Sequence, residues 1–273
     1  MRFLLGSLAD LRPEDRVEPS EMPELERWVL HRLAELDETI REGYKAYDFP
    51  GVVRALFDFA TADLSAFYFD VRKDALYCDG DTPRRRAART VLLHLFDRLA
   101  TWLAPVLAFT MEEVWLERHP GEDSSVHLQD FPDTPPAWRD PALALRWEAI
   151  RDVRRVVTGA LEVSRTAKAI GASLEAAPTV HVCGDMAAIL AAVEFQDLCI
   201  TSSVTLSTEP APEEAFRLPD VPVVAVVVRE AQGEKCQRCW KILPDVGTHA
   251  HPGVCLRCDE ALSDLGLPAA LLA

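Results

Sequence analysis

Apolar residues recur every three or four positions through the first 118 residues, the period of a buried helical face. From Glu24 to Ala46 the stripe is Leu25, Trp28, Val29, Leu33, Leu36 and Ile40. Asp48 is placed to cap a second helix. Its predicted inner face is Val52, Val53, Leu56, Phe57, Ala60 and Leu64, and the helix continues, bent, through Phe67 and Val71 to Leu76. Thr82-Pro83 opens a third helix, since proline is tolerated in a first turn. Its buried side is Val91, Leu92, Leu95, Phe96, Leu99 and Leu103, and Pro105 ends or bends it. Thr110 is expected to cap a short helix from Met111 to Glu117. Residues 119–140 hold Pro120, Pro132, Pro135 and Pro136 and read as a long irregular connection. A long helix follows from Pro141 to Lys168, with Trp147, Ile150, Val153, Val157, Ala160 and Leu161 inward and a stop at Gly171.

The period then changes. Thr179 to Val182 alternates as a strand, Met186 to Val193 reads as a short helix, and Leu198 to Leu206 and Val221 to Val228 are β-branched and strand-like. The pattern gives a mainly α chain: a helical bundle over 1–140, a connecting helix over 141–170, a small α/β unit over 171–231, and a C-terminal domain over 232–273. Leu262 to Ala273 is a short apolar tail to which the pattern assigns no element.

Cysteine spacing defines that last domain. Cys236, Cys239, Cys255 and Cys258 form C-x2-C-x15-C-x2-C. Two short hooks of two thiolates supply the tetrahedron of soft donors that Zn²⁺ prefers. Pro244-Asp245-Val246-Gly247 and Pro252-Gly253 can turn the chain so that the hooks face each other. Four protein ligands leave no position for an activated water, so a single Zn²⁺ here is structural. Two disulfides or a redox dithiol would use the same residues, and His249 or His251 could replace a sulfur. Cys78, Cys183 and Cys199 are isolated and read as buried reduced thiols, which favours a cytosolic setting.

Charge narrows the partners. The formal net charge is −15, which argues against indiscriminate nucleic-acid binding through a basic surface. Two stretches run against it: Arg151, Arg154, Arg155, Arg165 and Lys168, and, around the hooks, Arg229, Lys235, Arg238, Lys241 and Arg257. Read alone, both are solvated faces. The cluster Arg84, Arg85, Arg86 and Arg89 reads as a solvated helix end, and His94 as a core residue. The opening MRFLLGSLA is cut short as a signal by Asp10 and Arg12, and the proline-containing run Val221 to Val228 is too short to span a bilayer. Phosphate loops, nucleophile elbows and zinc-hydrolase motifs are missing from the sequence, so the residues describe a binding module.

Several segments together resemble one family. Tyr44-Lys45-Ala46-Tyr47-Asp48-Phe49, Leu64-Ser65-Ala66-Phe67-Tyr68-Phe69-Asp70 and Lys73-Asp74-Ala75-Leu76-Tyr77 look like the anticodon-binding helical domain of isoleucyl-tRNA synthetases. The run from Trp102 to Trp115 is similar to that domain in the class I enzymes for Ile, Val and Leu. Gly171 to Ala176 resembles the junction after the family's long helix. Glu234 to Trp240 with Cys255-Leu256-Arg257-Cys258 looks like the C-terminal zinc finger of the bacterial-type isoleucyl enzyme, a finger shared with formamidopyrimidine-type DNA glycosylases.

The resemblance implies a class I synthetase anticodon-binding bundle, then a small α/β unit and a four-cysteine zinc knob. It implies a cytoplasmic, monomeric, tRNA-binding C-terminal portion of a longer synthetase. Isoleucine tRNA and the synthetase's own catalytic domain would be the partners. ATP, and the signatures that handle it, belong to the catalytic half; none occurs here, so these residues alone should be inactive. Trp240 and Arg238 match the family's anticodon-contacting Trp and Arg, and Arg257, Lys241 and Lys235 are further phosphate candidates. Trp240 could instead pack on the zinc core. A DNA-binding module of glycosylase type and a zinc-dependent protein-interaction domain are the competing classes; the glycosylase needs a processed N-terminal proline, whereas this chain begins Met1-Arg2.

Overall fold

The computed structural model describes residues 1–267; residues 268–273 of the apolar tail lie outside the described residues. By internal contacts the chain divides into two units, Met1–Leu76 with Asp81–Ala144, and Tyr77–Gly80 with Leu145–Ala273.

The first unit is helical. It contains α1 (Arg2–Leu8), α2 (Glu24–Lys45), α3 (Phe49–Asp58), a π-helical segment (Phe59–Phe69), most of α4 (Asp70–Cys78), α5 (Pro83–Leu103) and α6 (Ala108–Arg118). The expected caps form where the side chains can reach. Asp48 accepts from the Gly51 amide at 3.0 Å and Thr82 from the Arg85 amide at 3.2 Å. Thr110 does not cap, because the turn after Pro105 re-enters helix at once: Leu107 bonds back to Leu103, and α6 starts at Ala108.

The second helix of the sequence reading departs most from expectation. Its buried positions are Val52, Leu56 and Phe59, and then Asp63, Leu64, Phe67, Tyr68, Val71, Arg72, Ala75 and Leu76. From Phe59 through Asp63, Phe67 and Val71 to Ala75 the buried positions repeat every four residues, more than a 3.6-residue turn delivers, and the wider π-helical turns of Phe59–Phe69 absorb part of the excess. In α3, ahead of those turns, the buried seam is narrow, only Val52 and Leu56. Val53 and Phe57, expected inside, are exposed, Phe57 by 65%. Inside the bundle, Arg72 donates to both oxygens of Glu26 at 2.7 Å and Tyr68 Oη donates to Glu26 at 3.1 Å, all three fully or nearly buried. Such a pair must be satisfied where it is buried, because an unpaired charge there costs several kcal/mol, about 3–5.

The arginines at the start of α5 are not a solvated end. Arg85 donates to the Leu76 carbonyl at 3.2 Å, Arg86 pairs with Asp81, and Arg89 is buried against the Ser7 carbonyl and Asp10. His94 packs edge-on to Trp138, with ring centroids 4.9 Å apart.

The second unit is built on α7 (Pro141–Thr166), which buries Trp147, Ile150, Val153, Val157, Ala160 and Leu161 as expected. It stops before Gly171. Lys168 adopts the left-handed conformation, φ 60°, and the bonds Ala169→Ser164 and Lys168→Arg165 close the helix. Then come β1 (Thr179–His181), α8 (Gly184–Ala191), α9 (Phe195–Cys199), β2 (Thr205–Ser207), β3 (Phe216–Leu218) and β4 (Val221–Val227). The sheet order is β2-β1-β4-β3, with β1 parallel to β2 and antiparallel to β4. Leu198 and Cys199, expected in a strand, form the end of α9. Burial of Phe195, Leu198 and Cys199 on one face overrides their β preference, and Ile200, φ 57°, terminates the turn. Cys183 is exposed, against the expectation of a buried thiol. No helix among the described residues is long and apolar enough to cross a membrane.

Candidate metal centre and nucleic-acid interface

The C-terminal knob starts with two short antiparallel strands, β5 (Glu234–Lys235) and β6 (Ile242–Leu243). Gly233 enters them at φ 119°, and a Cβ there would lie 2.3 Å from the Leu243 carbonyl group, so no larger residue fits. The first hook fills the turn between the strands. The Trp240 amide bonds to the Cys236 carbonyl and the Cys236 amide to the Lys241 carbonyl, both at 2.9 Å. The second hook opens helix α10 (Leu256–Asp264): Cys255 is its N-cap residue and Cys258 lies in its first turn.

All four cysteines are buried and their Sγ atoms lie within 4.8 Å of one another. Cys239 and Cys255 have sulfurs 3.7 Å apart. A zinc–sulfur bond of about 2.3 Å in a tetrahedron sets sulfurs about 3.8 Å apart, so the set fits the ion and no disulfide spans it. Hydrogen bonding from Cys239, and then from Cys255 and Cys258, holds the Cys236 thiol well below the usual range. The same contacts with Cys236 push Cys239 and Cys258 up. Cys255 is lowered to about 7, Cys236 raising it and Cys239 with Cys258 lowering it more, so two of the four thiols favour the thiolate and two resist it until a cation joins them. The Cys255 amide also donates to Cys236 Sγ at 3.4 Å.

The two histidines are not part of the sulfur cluster and take other partners. His251 pairs with Asp259 at 2.7 Å and with the Leu267 carbonyl at 3.1 Å, and His249 pairs with Asp245 at 3.0 Å. They brace the loop between the hooks. The knob is held within its unit by Lys241, whose ammonium is 2.5 Å from Asp197, and by the Ile242 amide on Ser202 Oγ at 2.7 Å.

The five side chains expected at a nucleic-acid surface separate into two groups. Trp240 is 62% exposed, so it does not pack on the metal core. Its backbone is left-handed, φ 67°, an outlier for a bulky side chain that costs about 1–2 kcal/mol. Lys235 is also exposed, its ammonium 5.8 Å from the Trp240 ring centroid. The other three make contacts within the unit. Arg238 donates to the carbonyls of Cys78 and Tyr77, Arg257 pairs with Asp79 at 3.3 Å, and Lys241 pairs with Asp197. On α7, Arg154 donates to the Leu198 carbonyl at 2.6 Å, Arg155 bridges Asp152 and Asp220, and Arg165 pairs with Glu162. Cys78 and Asp79 were missed as parts of this centre. Their only signal was a cysteine next to an acid at the end of a helix, far from the hooks in sequence.

Residues 26–181 match the anticodon-binding domain of tRNA ligases, and residues 233–261 match the zinc finger found in FPG and IleRS. The chain belongs to the family of tRNA-ligase anticodon-binding domains. It is similar to the C-terminal region of isoleucine–tRNA ligases. It is 66% identical to that of Ruegeria pomeroyi over 96% of this chain and 27% of the relative. The corresponding protein of Agrobacterium fabrum is 50% identical over 97% of this chain and 28% of its own length, and that of Bartonella henselae 46% over 97% and 27%. The chain thus spans little more than a quarter of the relatives it matches.

Proposed function

We propose that this chain is the tRNA-recognition portion of an isoleucine–tRNA ligase acting in the cytoplasm as a monomer. In this reading the helical unit holds the anticodon stem of isoleucine tRNA through phosphates and shape, and the knob reaches the loop. Attachment of isoleucine with ATP belongs to a catalytic portion outside these residues. One Zn²⁺ on Cys236, Cys239, Cys255 and Cys258 would supply only structure, since four protein sulfurs complete its shell.

The observation that carries the reading is the Trp240 conformation. A tryptophan is held in a backbone region that favours glycine, beside the first hook, with its ring turned to solvent. Stability does not explain that choice, because the ring buries little and the backbone is strained. An exposed, rigidly held aromatic plane with a cation above it suits stacking by an unpaired base, a contact of about 1–3 kcal/mol. Lys235 is the nearest phosphate partner. Arg238, Arg257 and Lys241 rank behind, because each already has an internal partner.

The test is a titration of labelled isoleucine tRNA, an anticodon-swapped tRNA and duplex DNA, with Zn²⁺ and after chelation. Preference for the isoleucine tRNA, lost on chelation, is expected. Equal affinity for all three would sink the proposal. Preference for the duplex would point to the glycosylase-type finger, and no nucleic-acid binding to a protein-interaction domain.

A further inference from the structure

Each hook reads Cys-x-Arg-Cys: Arg238 precedes Cys239 and Arg257 precedes Cys258. Both arginines turn to the same four residues, Tyr77–Gly80, which belong to the knob's unit although they lie far earlier in sequence. Arg238 donates to the Cys78 carbonyl and, at 3.3 Å, to the Tyr77 carbonyl; its guanidinium also lies 3.7 Å from Cys258 Sγ. Arg257 pairs with Asp79, whose side chain is nearly buried. Cys78 Sγ donates back to the Arg238 carbonyl at 3.7 Å and packs in one cluster with the four metal-site cysteines, Val254 and Leu262. Gly80 completes the strap. A Cβ there would lie 3.1 Å from Asp264 and 3.7 Å from the Ala261 Cα on α10.

The chemistry of the grip is specific. Tyr77 and Cys78 end α4, so their carbonyls are among the four that a helix leaves without an internal partner. A guanidinium across them satisfies these acceptors and complements the negative end of the helix dipole. Each arginine sits inside a two-residue bridge between metal-site cysteines. Its backbone position therefore follows from where the sulfurs are held.

We infer that Arg238 and Arg257 are positioning residues that lock the strap Tyr77–Gly80 onto the metal centre, so that gathering the four sulfurs on Zn²⁺ orders a segment some 160 residues upstream. This role is independent of tRNA. Hydrogen exchange of the full chain, read by mass spectrometry on peptides covering 70–80, tests it. Chelation is expected to speed exchange of the strap amides at least tenfold and leave the centre of α5 unchanged. The double variant Arg238→Gln/Arg257→Gln is expected to keep its zinc by metal analysis and show the fast strap. Should that variant lose zinc, Asp79→Asn removes one arm from the strap side without touching a hook and is expected to speed exchange alone. Strap exchange that stays slow after chelation, or in a zinc-loaded variant lacking the arms, would overturn the inference.

Discussion

The Lys235 ammonium stands 5.8 Å from the centroid of the Trp240 ring, across the two-stranded turn that carries the first hook. A cation over an exposed aromatic face contributes about 0.5–1 kcal/mol. That is less than the left-handed backbone of Trp240 costs. Trp240→Gly removes the strain, about 1–2 kcal/mol, and adds about 0.5–1 kcal/mol of glycine entropy. The variant should melt within a few degrees of the parent and keep its zinc, while losing tRNA affinity about tenfold or more. A drop in stability of the ~3–5 kcal/mol expected for truncating a buried tryptophan would show that the ring is structural.

The cysteines should react in two classes. Cys183 is exposed, whereas the other six are buried, and burial pushes Cys199 up to about 12. With zinc bound, one thiol should react quickly with an alkylating reagent. Chelation should add the four ligand cysteines and, if the strap loosens with them, Cys78. Thiol counting by mass spectrometry reads both classes, and several fast thiols in the zinc-loaded protein would contradict the assignment.

Acid should weaken the helical unit through His94. Burial, helped by Arg98 and Arg16, pulls its pKa from 6.5 to about 4. Between those values the unfolded chain takes up a proton that the folded chain refuses. Stability therefore rises with pH from about 4 to 6.5 and flattens above, with a slope of at most ~1.4 kcal/mol per pH unit from this residue. His119, also lowered by burial, adds in the same direction. Denaturant midpoints across that window should rise less steeply in His94→Gln. Parallel curves for the two proteins would exclude His94 as the cause.

The buried Glu26–Arg72 pair should respond asymmetrically. Glu26→Gln or Arg72→Met alone leaves an uncompensated partner and should cost about 3–5 kcal/mol, whereas Glu26→Leu with Arg72→Met should recover most of it. Equilibrium unfolding of the three variants decides this, and additive losses would mean that the two groups act separately.

The helices and the metal site were legible because each rests on local regularity. Trp147, Ile150 and Val153 mark α7 by spacing, and the hooks mark themselves. The misreadings arise where a distant contact overrides a local preference. Phe57 fits a helical stripe but falls outside the narrow seam of Val52, Leu56 and Phe59. Leu198 and Cys199 have strand-like neighbours but are buried as a helix. Arg89 looked solvated because nothing near it in sequence announces Ser7 or Asp10. Arg238 and Arg257 had visible charge, but their partners at Tyr77–Asp79 lie far upstream, and no spacing rule connects them.

The strap also imposes an order of assembly. At about 5–20 residues per second, the ribosome makes Tyr77 and Cys78 on the order of ten seconds before Arg238, which lies some 160 residues later. Throughout that interval α4 can form, but the last two carbonyls that Arg238 will bind stay open and the Cys78 thiol stays uncovered. A chain interrupted before Arg238 keeps both features. Completing the chain removes them together, so the end of α4 differs chemically between unfinished and finished molecules.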